Sequence, residues 1–108
     1  MLILFDHSTP APLSSFLTGH TVTTARDRGW DRLSNGDILA AAEAAGFDVL
    51  LTADNSIKYQ QNLSRRRIAL VVLSSPQWPR VRLEVVRIAA AVSAAVPGSY
   101  FEVDIPYL

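Results

Sequence analysis

Short apolar runs alternate along this chain with stretches of helical spacing, and that alternation restricts the fold more than any other feature. Leu2-Ile3-Leu4-Phe5, Asp48 to Ala53 and Ile68 to Leu73 are short, continuous and rich in branched side chains. Strands buried on both faces read this way. Between the first two, Thr9-Pro10-Ala11-Pro12 supplies a cap and a proline at a helix start. Leu13, Phe16 and Leu17 follow at helical spacing, and Gly19 stops the run. His20 to Thr24 is β-branched and predicts a second strand. A polar, irregular span from Arg26 to Asn35 comes next. Ser34 or Asn35 then caps a helix whose stripe is Ile38, Leu39, Ala42 and Ala45, and Gly46 ends it.

After the third strand, Asn55 to Leu63 predicts a short helix and a loop. The fourth strand, Ile68 to Leu73, is apolar throughout and is expected to be central. Pro76 and Pro79 precede a long helix from about Arg80 to Val96. Its buried stripe is Val81, Val85, Ile88, Val92 and Ala95, while Arg80, Glu84 and Arg87 face water as charge pairs. Ser99 to Ile105 alternates and predicts an edge strand with one wet face. The succession predicts one domain, 1–108, of α/β class. It has three layers: a mostly parallel sheet with helices on both faces.

Composition narrows the function classes. Hydrophobic residues make up 49% and charged residues 19%, which suits a packed core rather than a disordered segment. The absence of cysteine removes thiol catalysis, zinc-thiolate sites and disulfides, and it fits a reducing cytoplasm. The apolar opening is too short for a signal peptide, and the run near Ile88 is too short to span a bilayer. Ten basic residues balance ten acidic ones, so any hold on nucleic acid must come from local patches.

Three aspartates fall at element ends. Asp6 closes the first strand, Asp37 opens the alanine-rich helix and Asp54 closes the third strand. In an open parallel sheet, ligands bind beyond the carboxyl ends of the strands. Carboxylates that converge there repel one another, and a divalent cation between them removes the repulsion. Oxygen-only ligands suit Mg²⁺ or Mn²⁺, and phosphate chemistry is a frequent use of such a site. Each aspartate also has a purely structural use. Asp6 and Asp54 suit turn or helix caps, and Asp37 suits the positive end of a helix dipole.

Three segments together resemble the PIN-like nuclease superfamily, in its short bacterial toxin-like branch. They are Ile3-Leu4-Phe5-Asp6 with Pro12-Leu13 and Leu17, then Ser34-Asn35-Gly36-Asp37-Ile38-Leu39 with Ala42, then Leu51-Thr52-x-Asp54. They span roughly the first two-thirds of the chain in the expected order. The resemblance implies a parallel sheet flanked by helices. It also implies an acidic pocket of Asp6, Asp37 and Asp54 that holds Mg²⁺ or Mn²⁺ and cleaves RNA. An antitoxin is the partner that it implies. Larger members usually gather four acids, one of them a glutamate inside a helix. Here Asp37 takes that second place, and the fourth is missing or replaced by Asn55. Glu43 lies six residues beyond Asp37, off its helical face, and Asp31 is a substitute from the loop.

Other residues have a substrate reading and a plainer one. His7 adjoins Asp6 and suits either a phosphate contact or a solvated loop. Thr52 points the same way as Asp54 along the strand, so its hydroxyl is placed to orient a carboxylate. Asn55 suits an amide ligand or a turn, and Lys58, next to Tyr59, suits a phosphate contact or an exposed face. Arg65-Arg66-Arg67 suits an RNA backbone or a solvated loop. Arg26, Arg28 and Arg32 surround Trp30, which suits base stacking or burial against the sheet. Two rival functions remain at this stage. One is a PIN-like module that binds a protein partner and keeps its acids as relics. The other, ranked last, is a phosphoacceptor receiver, because the opening carries one aspartate where receivers carry an acidic pair. The terminal strand, with Trp78, Tyr107 and Leu108 as exposed apolar residues, is expected to pair with a second copy or with the antitoxin.

Overall fold

A computed structural model of the chain describes residues 1–54, 56, 57, 63 and 65–107. Five strands are described: β1 (Leu2–Phe5), β2 (Thr21–Thr24), β3 (Val49–Thr52), β4 (Ala69–Leu73) and β5 (Tyr100–Val103). They form one sheet in the order β2-β1-β3-β4-β5, and every pairing is parallel. The α/β class and the layering follow the sequence expectation. The register aligns Leu4, Leu50 and Leu70 on one face, and Phe5, Leu51 and Val71 on the other. All six are essentially inaccessible, which is why β1, β3 and β4 lack polar alternation. β4 lies inside the sheet as expected, although the middle position belongs to β3.

One face carries a 3-10 helix, Ala11–Phe16, which packs Leu13 on Ile3, Phe5 and Leu51. The other carries α1 (Asn35–Ala44), which seats Ile38, Leu39 and Ala42 on Leu4, Leu50 and Leu70. Ser34 is the residue that caps α1: its hydroxyl accepts the Asp37 N–H at 3.3 Å. Ala45 falls outside the stripe, because it is the exposed residue that closes the helix. Gly46 follows at φ 87°, the left-handed stop that glycine permits.

The expected long helix is broken into three pieces. α2 (Trp78–Val81) runs into a 3-10 turn, Arg82–Glu84, and then into α3 (Val85–Ser93). Glu84 leaves the helical region at φ −118° and ψ 19°. The inward stripe survives the break: Val81, Ile88 and Val92 are fully buried, with Val85 and Ala95 packed against them. The pairing does not survive whole. Glu84 meets Arg87 at 3.2 Å, while Arg80 instead donates to the Ile105 and Pro106 carbonyls at 2.7 and 3.0 Å. Trp78 is not an exposed patch, since it packs on the core and its ring lies 5.8 Å from Phe16. Tyr107 is exposed, and Leu108 lies outside the described residues.

The crossovers do not all share one hand. From β1 to β2 the chain steps one way with its helix on the first face. From β2 through β3 to β4 it steps the other way, with α1 and then Ile57 and Leu63 on the second face. Reversing direction and face together preserves the hand, as parallel crossovers favour. From β4 to β5 the direction is unchanged, yet α2 and α3 lie on the first face. The last crossover therefore has the opposite hand. It sets α3 beside the first 3-10 helix and closes the first-face core. Among the described residues no helix is long and apolar enough to cross a membrane.

Candidate functional site at the strand-order reversal

The strand order reverses between β1 and β3, because β1 continues to β2 on one side while β3 continues to β4 on the other. Ligand crevices of doubly wound sheets open at this point, beyond the carboxyl ends. Asp6 follows β1 and Asp54 lies two residues beyond β3, so both stand at the reversal.

Asp6 is only 5% exposed. Its Oδ1 accepts from the Ser8 N–H (3.1 Å), the Ser8 hydroxyl (2.7 Å) and the Thr9 hydroxyl (2.9 Å). Its Oδ2 accepts from the Thr52 hydroxyl. The Leu51 carbonyl, 2.6 Å from the Thr9 hydroxyl, shares that hydroxyl's one proton with Asp6, and the Ala53 N–H donates to the Ser8 hydroxyl at 3.0 Å. The end of β1 is thus tied to the end of β3 almost entirely through hydroxyls. Thr52 links the two aspartates: it donates to Asp6 and accepts the Asp54 N–H at 3.0 Å.

Asp54 is less enclosed. Its Oδ1 accepts from the Ser56 hydroxyl (2.7 Å) and N–H (3.0 Å), and its Oδ2 from the Asn35 amide at 3.3 Å. The Ser56 hydroxyl bond is the main cause that holds its pKa below the ordinary carboxylate value. Partial burial opposes this, while the Ser56 N–H, Asn35 and the nearby His7 reinforce it. Asn35 belongs to the first turn of α1, so its bond brings that turn to Asp54. Asp37 sits in the same turn, exposed, with its N–H capped by Ser34.

The three aspartates thus share the carboxyl edge but not one cage. Among the described residues, no three His, Cys, Asp or Glu side chains are grouped to hold one metal ion. Neither Asp6 nor Asp54 has an ion-pair partner there. What the site offers a cation is two carboxylates whose hydrogen-bond partners are hydroxyls, N–H groups and an amide. Mg²⁺ is commonly held by one or two carboxylates with waters and substrate oxygens completing the shell. The donor set fits that use and not a dry three-acid cage.

The remaining sequence candidates are dispersed. His7 is exposed beside Asp54. Trp30 is half-buried, edge-on to Phe47 at 6.1 Å, with the Arg28 guanidinium 4.6 Å above its ring. Arg65, Arg66 and Arg67 precede β4 and so stand at the amino edge, away from the aspartates. Arg66 pairs there with Glu43 at 3.4 Å, which accounts for that glutamate without a site role. Asn55 and Lys58 lie outside the described residues.

Sequence reasoning missed Ser8, Thr9, Asn35 and Ser56 as site residues. A signal was present for two of them. Asp6-x-Ser8 and Asp54-x-Ser56 both have the spacing at which an aspartate caps the backbone two residues on. No protein-family model matches this chain, and neither a curated protein nor a solved structure matches it.

Proposed function

We propose that this protein is a metal-dependent endoribonuclease that cleaves single-stranded RNA at the carboxyl edge between β1 and β3. The observation that carries the reading is the pair Asp6 and Asp54. They are linked through Thr52 at the strand-order reversal, with no cationic side chain paired to either among the described residues. Asp6 and Asp54 would hold Mg²⁺ or Mn²⁺, with Asp37 at the same edge of the sheet. A cation bound there supplies charge neutralisation at the scissile phosphate and a water of lowered pKa. Asn35 and Ser56 keep the Asp54 carboxylate fixed and charged. His7, exposed beside Asp54, would reach the phosphate or the leaving group. The lack of cysteine accords with work in the cytoplasm. The toxin role, restrained by an antitoxin protein, completes the proposal and rests on the resemblance alone. The test is cleavage of single-stranded RNA with Mn²⁺ by wild type and Asp54→Asn. Equal rates would refute the assignment.

One observation favours a second reading, a module that has lost catalysis and binds a protein partner. Asp6 is already satisfied by four hydrogen bonds, as a structural capping residue would be. Titration with Mn²⁺ separates the two, since a relic site takes up no Mn²⁺ at millimolar concentration.

A further inference from the structure

We propose that Tyr107 stacks on a base of the bound single-stranded RNA and that Arg80 holds it in place to do so; this rests on the ribonuclease reading above. Chain ends are loose unless something ties them down. Here the backbone is tied at each residue from Asp104 to Pro106. Arg87 donates to the Asp104 carbonyl at 2.8 Å, and Arg80 donates to the Ile105 and Pro106 carbonyls at 2.7 and 3.0 Å. The Ser74 hydroxyl accepts the Ile105 N–H at 2.7 Å. These bonds lead to a side chain that gives the core nothing: Ile105 is 1% exposed, whereas Tyr107 is 90% exposed. The Arg80 guanidinium lies over the Tyr107 ring, 4.1 Å from its centre, and the rest of the ring is open.

An exposed aromatic ring with an arginine on it is the pairing that single-stranded nucleic acid uses. Every base has a π-face, so stacking needs no particular sequence, and the cation adds attraction of its own. Arg80 has five N–H donors and spends two of them on carbonyls. No carboxylate is paired with it among the described residues, so its charge is left for a phosphate beside the stacked base. Its place agrees with this use. Residues 104–107 leave β5 at the carboxyl edge of the sheet, the edge that carries Asp6 and Asp54. β5 lies two strand spacings from β3, about 10 Å, so an RNA strand with its scissile phosphate at the aspartates reaches Tyr107 within a few nucleotides. Arg65, Arg66 and Arg67, which the sequence offered for this grip, stand at the opposite edge.

The test is the affinity of the full chain for a labelled, unstructured single-stranded RNA, read by fluorescence anisotropy in EDTA so that no cleavage intervenes. Tyr107→Ala is expected to weaken binding about tenfold, the loss of one stacked base. Tyr107→Phe keeps the ring and should bind as wild type does. Tyr107→Leu keeps apolar bulk without a π-face and should lose as much as Tyr107→Ala. The side chain is almost wholly exposed, so all three variants should keep the thermal stability of wild type. Equal RNA affinities of wild type and Tyr107→Ala would overturn the proposal, while cleavage of the same RNA by wild type with Mn²⁺ would leave the ribonuclease reading standing. A Tyr107→Leu chain that binds like wild type would overturn it as well, because bulk and not stacking would then be what counts. If Tyr107→Ala binds RNA normally but alters the size seen by light scattering, the residue serves a protein contact and the proposal falls. A wild type that neither binds nor cleaves RNA would overturn both.

Discussion

Asp54 and Glu43 are both carboxylates held below their ordinary pKa, yet their surroundings differ in kind. Glu43, near the end of α1, accepts the Arg67 N–H at 2.7 Å, and this bond is the main cause of its lowered pKa. Burial opposes the shift, and the Ile68 N–H and the charges of Arg66 and Arg67 add to it. Its charge is cancelled on the spot by arginine. Asp54 and its neighbour Asp6 are stabilised by serine, threonine and asparagine, whose dipoles satisfy hydrogen bonds without cancelling charge. At the amino edge, Glu43 is thus paired with an arginine. At the carboxyl edge, no cationic side chain is paired with Asp6 or Asp54 among the described residues, which is what the proposed cation site requires. A carboxylate is a strut at one end and, in the proposed function, a binding group at the other, and the identity of its partners decides which.

The largest expected effect comes from the most enclosed acid. Asp6→Ala leaves the Ser8 and Thr52 hydroxyls and the Ser8 N–H without this acceptor, while Thr9 keeps the Leu51 carbonyl, so unfolding by urea should show a loss of about 3 kcal/mol. A loss below about 1 kcal/mol would mean that the hydroxyl network is not a structural tie. The next effect separates the two edges directly. Asp54→Asn should weaken Mn²⁺ binding roughly a hundredfold, while Glu43→Gln should leave it unchanged. Equal losses would erase the contrast. A third measurement sharpens it without activity. Saturating Mn²⁺, at about a hundred times its dissociation constant, should stabilise the wild type by about 2.7 kcal/mol. Calorimetry should detect this as a higher Tm that vanishes in Asp54→Asn and persists in Glu43→Gln.

The smallest effect is the response to acid. Both carboxylates have folded pKa values below their unfolded ones. Their stabilisation is complete above the unfolded value, near 4, and is lost as pH falls through the lower folded value. Without metal, Asp54→Asn and Glu43→Gln should each be less stable than wild type at pH 7, with the gap closing below about pH 4. A gap that widened in acid would reverse the sign of the assignment.

Partners test the remaining edge. β5 is an edge strand, and Phe101 and Tyr107 are exposed near it. Light scattering of the isolated chain, from micromolar concentration upward, should report a dimer if this edge pairs with a second copy. A strict monomer would refute pairing with a second copy.

Much of the architecture was legible in residue order alone. Leu2–Phe5, Val49–Thr52 and Ala69–Leu73 lack polar residues except Thr52, because each is covered on both faces. A strand of that kind needs helices above and below it, and the chain supplies apolar stripes of the right period between the strands. The aspartates at strand ends were equally visible, because the carboxyl edge follows from parallel pairing. What lay beyond the sequence depended on contacts between distant segments. The choice between Ser34 and Asn35 as cap, the break at Glu84 and the face chosen by α3 are settled by packing, which no local pattern encodes. The same holds for the site. Sequence order placed Asp6 and Asp54 at the same edge, but only the β1–β3 pairing set Thr52 between them. Only the turn after β1 folded Ser8 and Thr9 back onto Asp6. A hydroxyl has no periodicity to reveal it; its role is fixed by the acceptors that the tertiary structure brings within about 3 Å.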